Sequence, residues 1–363
     1  MKRIVFAVTN DLCYDQRMIR ICNSLTAVGY QILLIGRKVK TSPPLSPQPF
    51  LQKRLSCYFN HGKLFYLEYN FRLLLFLLLR KTDIIGAIDL DTILPCYIVS
   101  VLRRKRRIYD AHELFCEMKE IVNRPGIYKF WKWIERKTVP QFQFGYTVNQ
   151  PIADEFKKMY GVRYEIIRNV PLHDPIPVPS KKEKYIIYQG AVNEGRSFET
   201  LIPAMQYLDA PLIICGDGNF MRQVIDLTRA YRVENKITFK GKIMPEQLKK
   251  LTLQAWVGIT LFDAAGKSNY YSLANRFFDY IQAGIPQVCV DYPVYREINN
   301  QYQIAVLIDD LSPRSIATQL NELLNNESLY NRLQKNCLEA RKQLCWQEEE
   351  KKLLTFYQNN FPQ

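Results

Sequence analysis

Asp279 stands in NYYSLANRFFDYIQAGIPQV, Asn269 to Val288, where apolar Leu273, Phe277, Phe278 and Ile281 recur at helical spacing. Asn275 and Asp279 lie four apart and so share one face of that helix. Gly284 suits a left-handed cap, and Pro286 stops any continuation. A buried helix that carries a carboxylate to the carboxyl edge of a parallel sheet can hold a ribose, because both sugar hydroxyls donate to one acceptor. A surface helix with a solvated Asp279 has the same spacing, and this segment alone leaves both readings open.

Two further stretches could hold phosphate. YQGAVNEGRSFETLI (188–202) runs from a strand through a glycine-punctuated loop and Arg196 into a helix, and IICGDGNF (213–220) repeats the pattern around Gly216. Helix N-termini offer unpaired N–H groups, and Arg196 adds a fixed cation whose fork matches phosphate oxygens. Together they could hold a diphosphate, although such turns occur in any α/β protein. His112, one of three histidines, sits in YDAHELF, where Asp110 and Glu113 can orient or charge it. With a reference pKa near neutrality it can donate to a sugar hydroxyl or to developing negative charge; capping the next helix is the alternative. Asp15 and Arg17, in the loop expected after the first strand, point toward the same region, where Arg17 meets phosphate or acceptor or else forms a plain salt bridge within that loop.

These residues need a scaffold. Apolar runs alternate with amphipathic stretches in the rhythm of a parallel sheet covered on both faces. Strands are expected at 4–8, 31–36, 83–88, 107–111, 145–149 and 164–169, and again at 185–190, 211–216, 236–241, 257–262, 286–291 and 305–309. Between the sets, the prolines and charges of NVPLHDPIPVPSKKEK (169–184) read as a linker. The expected fold class is α/β, two doubly wound Rossmann-like domains facing across a cleft. The expected boundaries are 1–170, a linker at 171–184, a second domain at 185–343, and a terminal helix at 344–363. At 363 residues the chain is long enough for two cores.

Composition narrows the class. Nine cysteines form no C-x-x-C pair and several lie in apolar runs, which suggests a reducing compartment. The apolar run in MKRIVFAVTND is too short for a signal sequence, so a cytoplasmic location is expected. The block FRLLLFLLL, Phe71 to Leu79, falls short of the ~20 residues a bilayer span needs and reads as a core helix rather than an interfacial one. Residues 1–180 carry 28 Lys+Arg and 15 Asp+Glu, net +13, against 22 and 20, net +2, in the remainder. The densest cluster is RRKRR, Arg103 to Arg107. Such a split points to an anionic partner on the first half. A membrane with anionic lipids fits the cluster as well as nucleic acid does, but no nucleic-acid-binding motif accompanies it, and nucleic acid is not the expected partner. Trp131 and Trp133 are candidates for the same membrane contact.

The turn after the first strand, TNDLCYDQR, contains no glycine, and neither G-x-G-x-x-G nor G-x-x-x-x-G-K-[ST] occurs, which argues against nicotinamide and P-loop chemistry. Asp89-Leu90-Asp91 has metal-like spacing but reads as a strand-end loop of the first half.

In order and spacing, TNDLCYDQRMIRICNSL, DLDTILP, YDAHELF, WKWIER, TVNQPIADEF, IRNVP, QGAVNEGR, CGDG and SLANRFFDYIQAGIP resemble a retaining glycosyltransferase of the GT-B fold, similar to glycosyltransferase family 4 and to its bacterial members that build surface polysaccharides. The resemblance implies a nucleotide-sugar donor held mainly by the second domain and a saccharide acceptor, lipid-linked or oligosaccharide, held mainly by the first. It places Asp279 at the second glutamate of an E-x7-E motif, on the ribose, and Arg196 at the phosphate-binding lysine. Gly190 then closes the preceding strand, and Ile243 lies where main-chain groups read the base. Tyr271 replaces the first glutamate, and Ala191 replaces the basic residue after the strand glycine. Tyr271, Ser272 and Leu273 are left to present hydroxyl and backbone groups to sugar or diphosphate. The implied chemistry is front-face transfer with retention at His112, Arg196 and Asp279, with no metal and no other cofactor. The terminal helix is expected to cross back to the first domain as a hinge. A sugar-nucleotide epimerase and an inactive binding protein share this architecture.

Overall fold

The computed structural model describes residues 1–174 and 182–362. Residues 175–181, half of the expected linker 171–184, lie outside them. The chain divides into two compact units: Met1–Glu117 with Ile121–Asn169 and Glu349–Gln363, and Met118–Glu120 with Val170–Glu348.

In the first unit the strands are β1 (Arg3–Ala7), β2 (Gln31–Lys38), β3 (Leu51–Ser56), β4 (Ile84–Ile88), β5 (Arg106–Ala111), β6 (Gly145–Thr147) and β7 (Glu165–Ile166). They form one sheet in the order β3-β2-β1-β4-β5-β6-β7, with every pairing parallel. The central strands are apolar because helices cover both faces; IIGAI of β4 is buried at every residue. Sequence alone misses β3, whose LQKRLS is polar and mostly exposed, as an edge strand can be.

The second unit holds β8 (Ile186–Gln189), β9 (Leu212–Cys215), β10 (Ile237–Gly241), β11 (Val257–Thr260), β12 (Gln287–Val290) and β13 (Ala305–Ile308). Their order is β10-β9-β8-β11-β12-β13, again all parallel. In each sheet the strand order reverses beside the first strand, at β1/β4 and at β8/β11. Open α/β sheets take ligands in the crevice beyond the carboxyl ends of such a pair.

The Leu-rich block corrects an expectation. It lies in the helix Gly62–Leu79, which buries Phe65, Tyr69, Leu73 and Leu77, one stripe at intervals of four. Its other face leaves Leu64, Leu67, Phe71, Leu75, Leu78 and Leu79 exposed, so this is not a core helix. The basic cluster is also partly structural. The Arg103 guanidinium donates to the carbonyls of Leu77 and Arg80 at the end of that helix, and Arg106 Nη1 donates to Asn360 O at 2.6 Å. Cations at helix C-termini meet unpaired carbonyls and the negative end of the dipole. Trp131 is 8% exposed and packs on Tyr66 and Phe115, whereas Trp133 is 56% exposed.

The helix Trp346–Asn360 packs its later turns on the first unit, where Tyr30 Oη donates to Phe361 O at 2.8 Å and the Tyr146 and Tyr357 hydroxyls lie 3.3 Å apart.

Candidate functional site

At the carboxyl edge of the second sheet, Gly190, Gly216 and Gly241 end β8, β9 and β10 side by side. Gly190 N donates to Cys215 O at 2.9 Å, and Gly216 N donates to Gly241 O at 2.8 Å. Gly216 has φ +150, and a Cβ there would lie 1.8 Å from Gly190 O, so only glycine fits. The result is an edge at which these three residues carry no side chain of their own.

Asp279 reaches this edge from the helix Asn275–Gln282. Its partners in the sequence pattern behave as expected: Leu273, Phe277, Phe278 and Ile281 are buried, and Gly284 has φ +60. Gln189 Nε2, at the end of β8, donates to Asp279 Oδ2 at 2.7 Å, and Thr252 Oγ1 donates to Gln189 Oε1 at 2.7 Å. The carboxylate is thus fixed from within the core while the residue stays partly exposed. Asn275, one turn earlier, is exposed. Ile243, just past β10, packs its side chain on the core cluster of Ile187, Cys215 and Tyr280.

Arg196 donates from Nη1 to Asn269 Oδ1 at 3.2 Å, and its guanidinium lies 4.5 Å from the Phe262 ring centroid. Asn269 is held in turn by Asp263 Oδ1 at 3.1 Å. The helix after Arg196 is only Phe198–Ala204, with Ser197 before it at φ +56 and no side-chain cap. So short a helix adds less dipole than a long one to the unpaired amides of its first turn. Ser272 Oγ lies 3.4 Å from Tyr295 Oη, and that hydroxyl accepts from Ala274 N at 3.0 Å. Leu273 is buried, and Tyr271 ends the short helical turn Lys267–Tyr270 as its C-cap.

In the first unit, a charged cluster gathers at the ends of β4 and β5. His112 Nδ1 lies 3.0 Å from Asp89 Oδ2, and His112 N donates to Asp89 Oδ1 at 2.8 Å. His112 Nε2 lies 3.2 Å from Asp110 Oδ2, off the line of a good hydrogen bond. Burial alone would lower the pKa of His112, but Asp89 and Asp110 outweigh it and hold the ring well above its ordinary value, as imidazolium. Asp110 is fully buried. Burial would raise its pKa, yet Arg17 and then His112 hold it down at about 2.

Two expectations change here. Arg17 is not in a loop but in the first turn of the helix Gln16–Ala27. Its fork is occupied, with Nε and Nη2 on Asp110 at 3.0 and 2.8 Å and Nη1 on Ile167 O at 3.0 Å, at 2% exposure. It orients Asp110 rather than meeting phosphate. Asp15 caps the same helix, accepting from Met18 N at 3.1 Å. Glu113 is partly buried next to His112.

Sequence reasoning missed Asp89 as the partner of His112, Gln189 as the support of Asp279, and Arg276. Asp89 has φ +55, a conformation that no spacing rule announces. Arg276 is a charged residue inside an apolar helical pattern, which was a usable signal. Among the described residues, no group of three or more His, Cys, Asp or Glu side chains could hold a metal ion.

Residues 171–340 match the family model described as Glycosyl transferases group 1. No curated relative matches the chain by sequence. Sucrose-phosphate synthase from Thermosynechococcus elongatus superposes with a TM-score of 0.79 at 15% identity, over 99% of each chain. Anabaena Alr3699/HepE in complex with UDP-glucose gives 0.73 at 12% identity, over 99% of this chain and 100% of that one. WaaG, a glycosyltransferase involved in lipopolysaccharide biosynthesis, gives 0.66 at 15% identity, over 97% and 99%. At these identities the likeness establishes the fold, which is GT-B.

Proposed function

We propose that this chain is a retaining, metal-independent glycosyltransferase of family 4 type. It moves a hexosyl unit from a nucleoside-diphosphate sugar to a saccharide acceptor carried on lipid, in surface polysaccharide synthesis at the inner face of the cytoplasmic membrane. The observation that carries this reading is the glycine edge at the ends of β8, β9 and β10, with Asp279 held toward it by Gln189. A fixed, partly exposed carboxylate beside bare backbone suits a ribose and a diphosphate. The group 1 match over residues 171–340 and the UDP-glucose complex of HepE support the donor half.

In this reading the bond from the anomeric carbon to the phosphate oxygen breaks, and its electron pair stays on the leaving diphosphate. The acceptor oxygen bonds the same face of that carbon, and its proton passes to the departing phosphate oxygen. Arg196 meets the leaving charge. His112, kept as imidazolium by its two carboxylates, donates to a sugar hydroxyl or to developing negative charge. Asp279 holds the donor by its ribose. Arg17 and Asp89 position Asp110 and His112.

Membrane contact is proposed for the first unit, supported by the exposed apolar face of the helix Gly62–Leu79 and by Val101 and Leu102 of the neighbouring helix Ile93–Leu102. Arg80, Lys81 and Arg104 lie exposed at the ends of these helices, and cations beside an apolar face fit an anionic bilayer surface.

The test is turnover of UDP-, GDP- and ADP-sugars with lipid-linked saccharide acceptors, with and without EDTA. Transfer with the anomeric configuration kept, at a rate EDTA leaves unchanged, is the expected result. Release of an epimerised nucleotide-sugar without acceptor would establish the epimerase instead, and loss of transfer in EDTA would overturn metal independence.

A further inference from the structure

Arg276 is an unusual charge for its position. It is the second residue of the helix Asn275–Gln282 and 6% exposed, yet no carboxylate pairs with it among the described residues. Nη2 donates to Leu261 O at 3.3 Å and Nη1 to Tyr188 Oη at 3.4 Å, both long, and the buried Nε has no partner. The guanidinium lies over two rings, 4.7 Å from the Tyr188 centroid and 4.6 Å from that of Phe262. Burying a guanidinium without a counter-charge is costly, and such a group in a native protein needs an explanation.

Its location supplies one. Tyr188 lies in β8 and Leu261 follows β11, the adjacent pair at which the strand order of this sheet reverses. A Cβ on Gly190 would lie 3.4 Å from Arg276 Nη1, so the guanidinium borders the bare glycine edge. Arg196 sits on the same Phe262 ring at 4.5 Å, which brings two like charges within one ring's reach of each other. Ala191, directly after Gly190, offers no charge, and Tyr188 Oη donates to Ala191 O at 2.7 Å, tying that turn to the ring beneath Arg276.

We propose that Arg276 is the second cation of the diphosphate site, reaching the phosphoryl oxygens of the nucleoside-diphosphate sugar past Gly190 while Arg196 meets them from the loop. This rests on the donor reading given above. As the bond to the anomeric carbon breaks, the two guanidinium groups share the charge left on the diphosphate. A planar fork already stacked between two rings makes those bonds with little loss of side-chain freedom.

Titration calorimetry of the full chain with nucleosides, nucleoside monophosphates and nucleoside diphosphates of uracil, guanine and adenine tests this in the wild type, Arg276→Met and Arg276→Lys. The expected result is that Arg276→Met weakens the diphosphate of the preferred base by about 10- to 100-fold and leaves its nucleoside nearly unchanged, with Arg276→Lys between. Should the methionine variant not fold, the lysine variant carries the same comparison. Unchanged diphosphate affinity in a folded variant overturns the proposal and leaves the donor reading standing. Equal losses for nucleoside and diphosphate also overturn it, because they mark a packing role. A wild type that binds no nucleoside diphosphate overturns both.

Discussion

Among single residues, the first unit is organised by who neutralises whom. Asp110 is fully buried and holds its charge because Arg17 grips it with two bonds and His112 stands beside it. His112 keeps its proton because Asp89 and Asp110 both face it. Both of these shifts therefore have named partners. Asp91 differs. Burial, then the charge on Asp89, raises its carboxyl to about 7, and the Thr9 hydroxyl only partly opposes this. An acid whose pKa is raised on folding binds more protons in the folded chain, so its contribution to stability is largest below the unfolded value of ~4 and falls as pH rises toward 7. Asp91→Asn removes that penalty while its amide oxygen can still accept from Thr9. Thermal melts should then show the variant several degrees above wild type at pH 8, with the gap narrowing steadily as pH falls to 5. An equal difference at both values would mean that Asp91 is ionised in neither or both conditions.

Of these pairings only that of Asp110 with His112, two positions apart, was readable from spacing. Asp110 and Arg17 are 93 positions apart, and their bond exists because β1 and β5 lie on either side of β4. The Asp279 helix was legible, since its apolar periodicity, Gly284 and Pro286 are local signals. Its support by Gln189 was not, because that contact spans two elements 90 residues apart. Arg276 could have been noticed as a charge between apolar neighbours, but its lack of a counter-charge is visible only in three dimensions.

Individual elements were legible where burial dictates composition. All twelve expected strands are present, with ends within a few residues, because a parallel strand covered on both faces must be apolar throughout. The edge strand β3 escapes that constraint and so escaped notice. The helix Gly62–Leu79 is the reverse case, since a run rich in leucine carries no periodicity from which to tell a buried face from an exposed one. Its open face leads to a specific outcome. The chain should float with vesicles containing phosphatidylglycerol, less so as salt is raised, and Phe71→Glu with Leu75→Glu should weaken binding by about tenfold or more. Equal binding to neutral vesicles, or none that salt affects, would contradict membrane contact through this face.

For the molecule as a whole, both units use one device. A parallel sheet reverses its order at its first strand, and the proposed site residues lie on segments at or after the carboxyl ends of its strands. In the first unit these are His112 with Asp89 and Asp110. In the second they are Asp279, Arg196 and Arg276 around a glycine edge. The charge split between residues 1–180 and the remainder, net +13 against +2, is the ground for proposing an anionic surface as partner of the first unit, and a diphosphate held by a few fixed cations is proposed for the second. Binding of a nucleoside diphosphate through ribose and phosphates by the second unit is the claim on which the rest depends. Calorimetric titration of wild type and Asp279→Asn with UDP, GDP and ADP and their 2′-deoxy counterparts tests it most directly. The account predicts that wild type binds one ribonucleoside diphosphate at least tenfold more tightly than its deoxy form, about the worth of one charge-assisted hydrogen bond, and that Asp279→Asn abolishes the difference. No binding of any of the three diphosphates, or a preference for ribose that survives in Asp279→Asn, would contradict it.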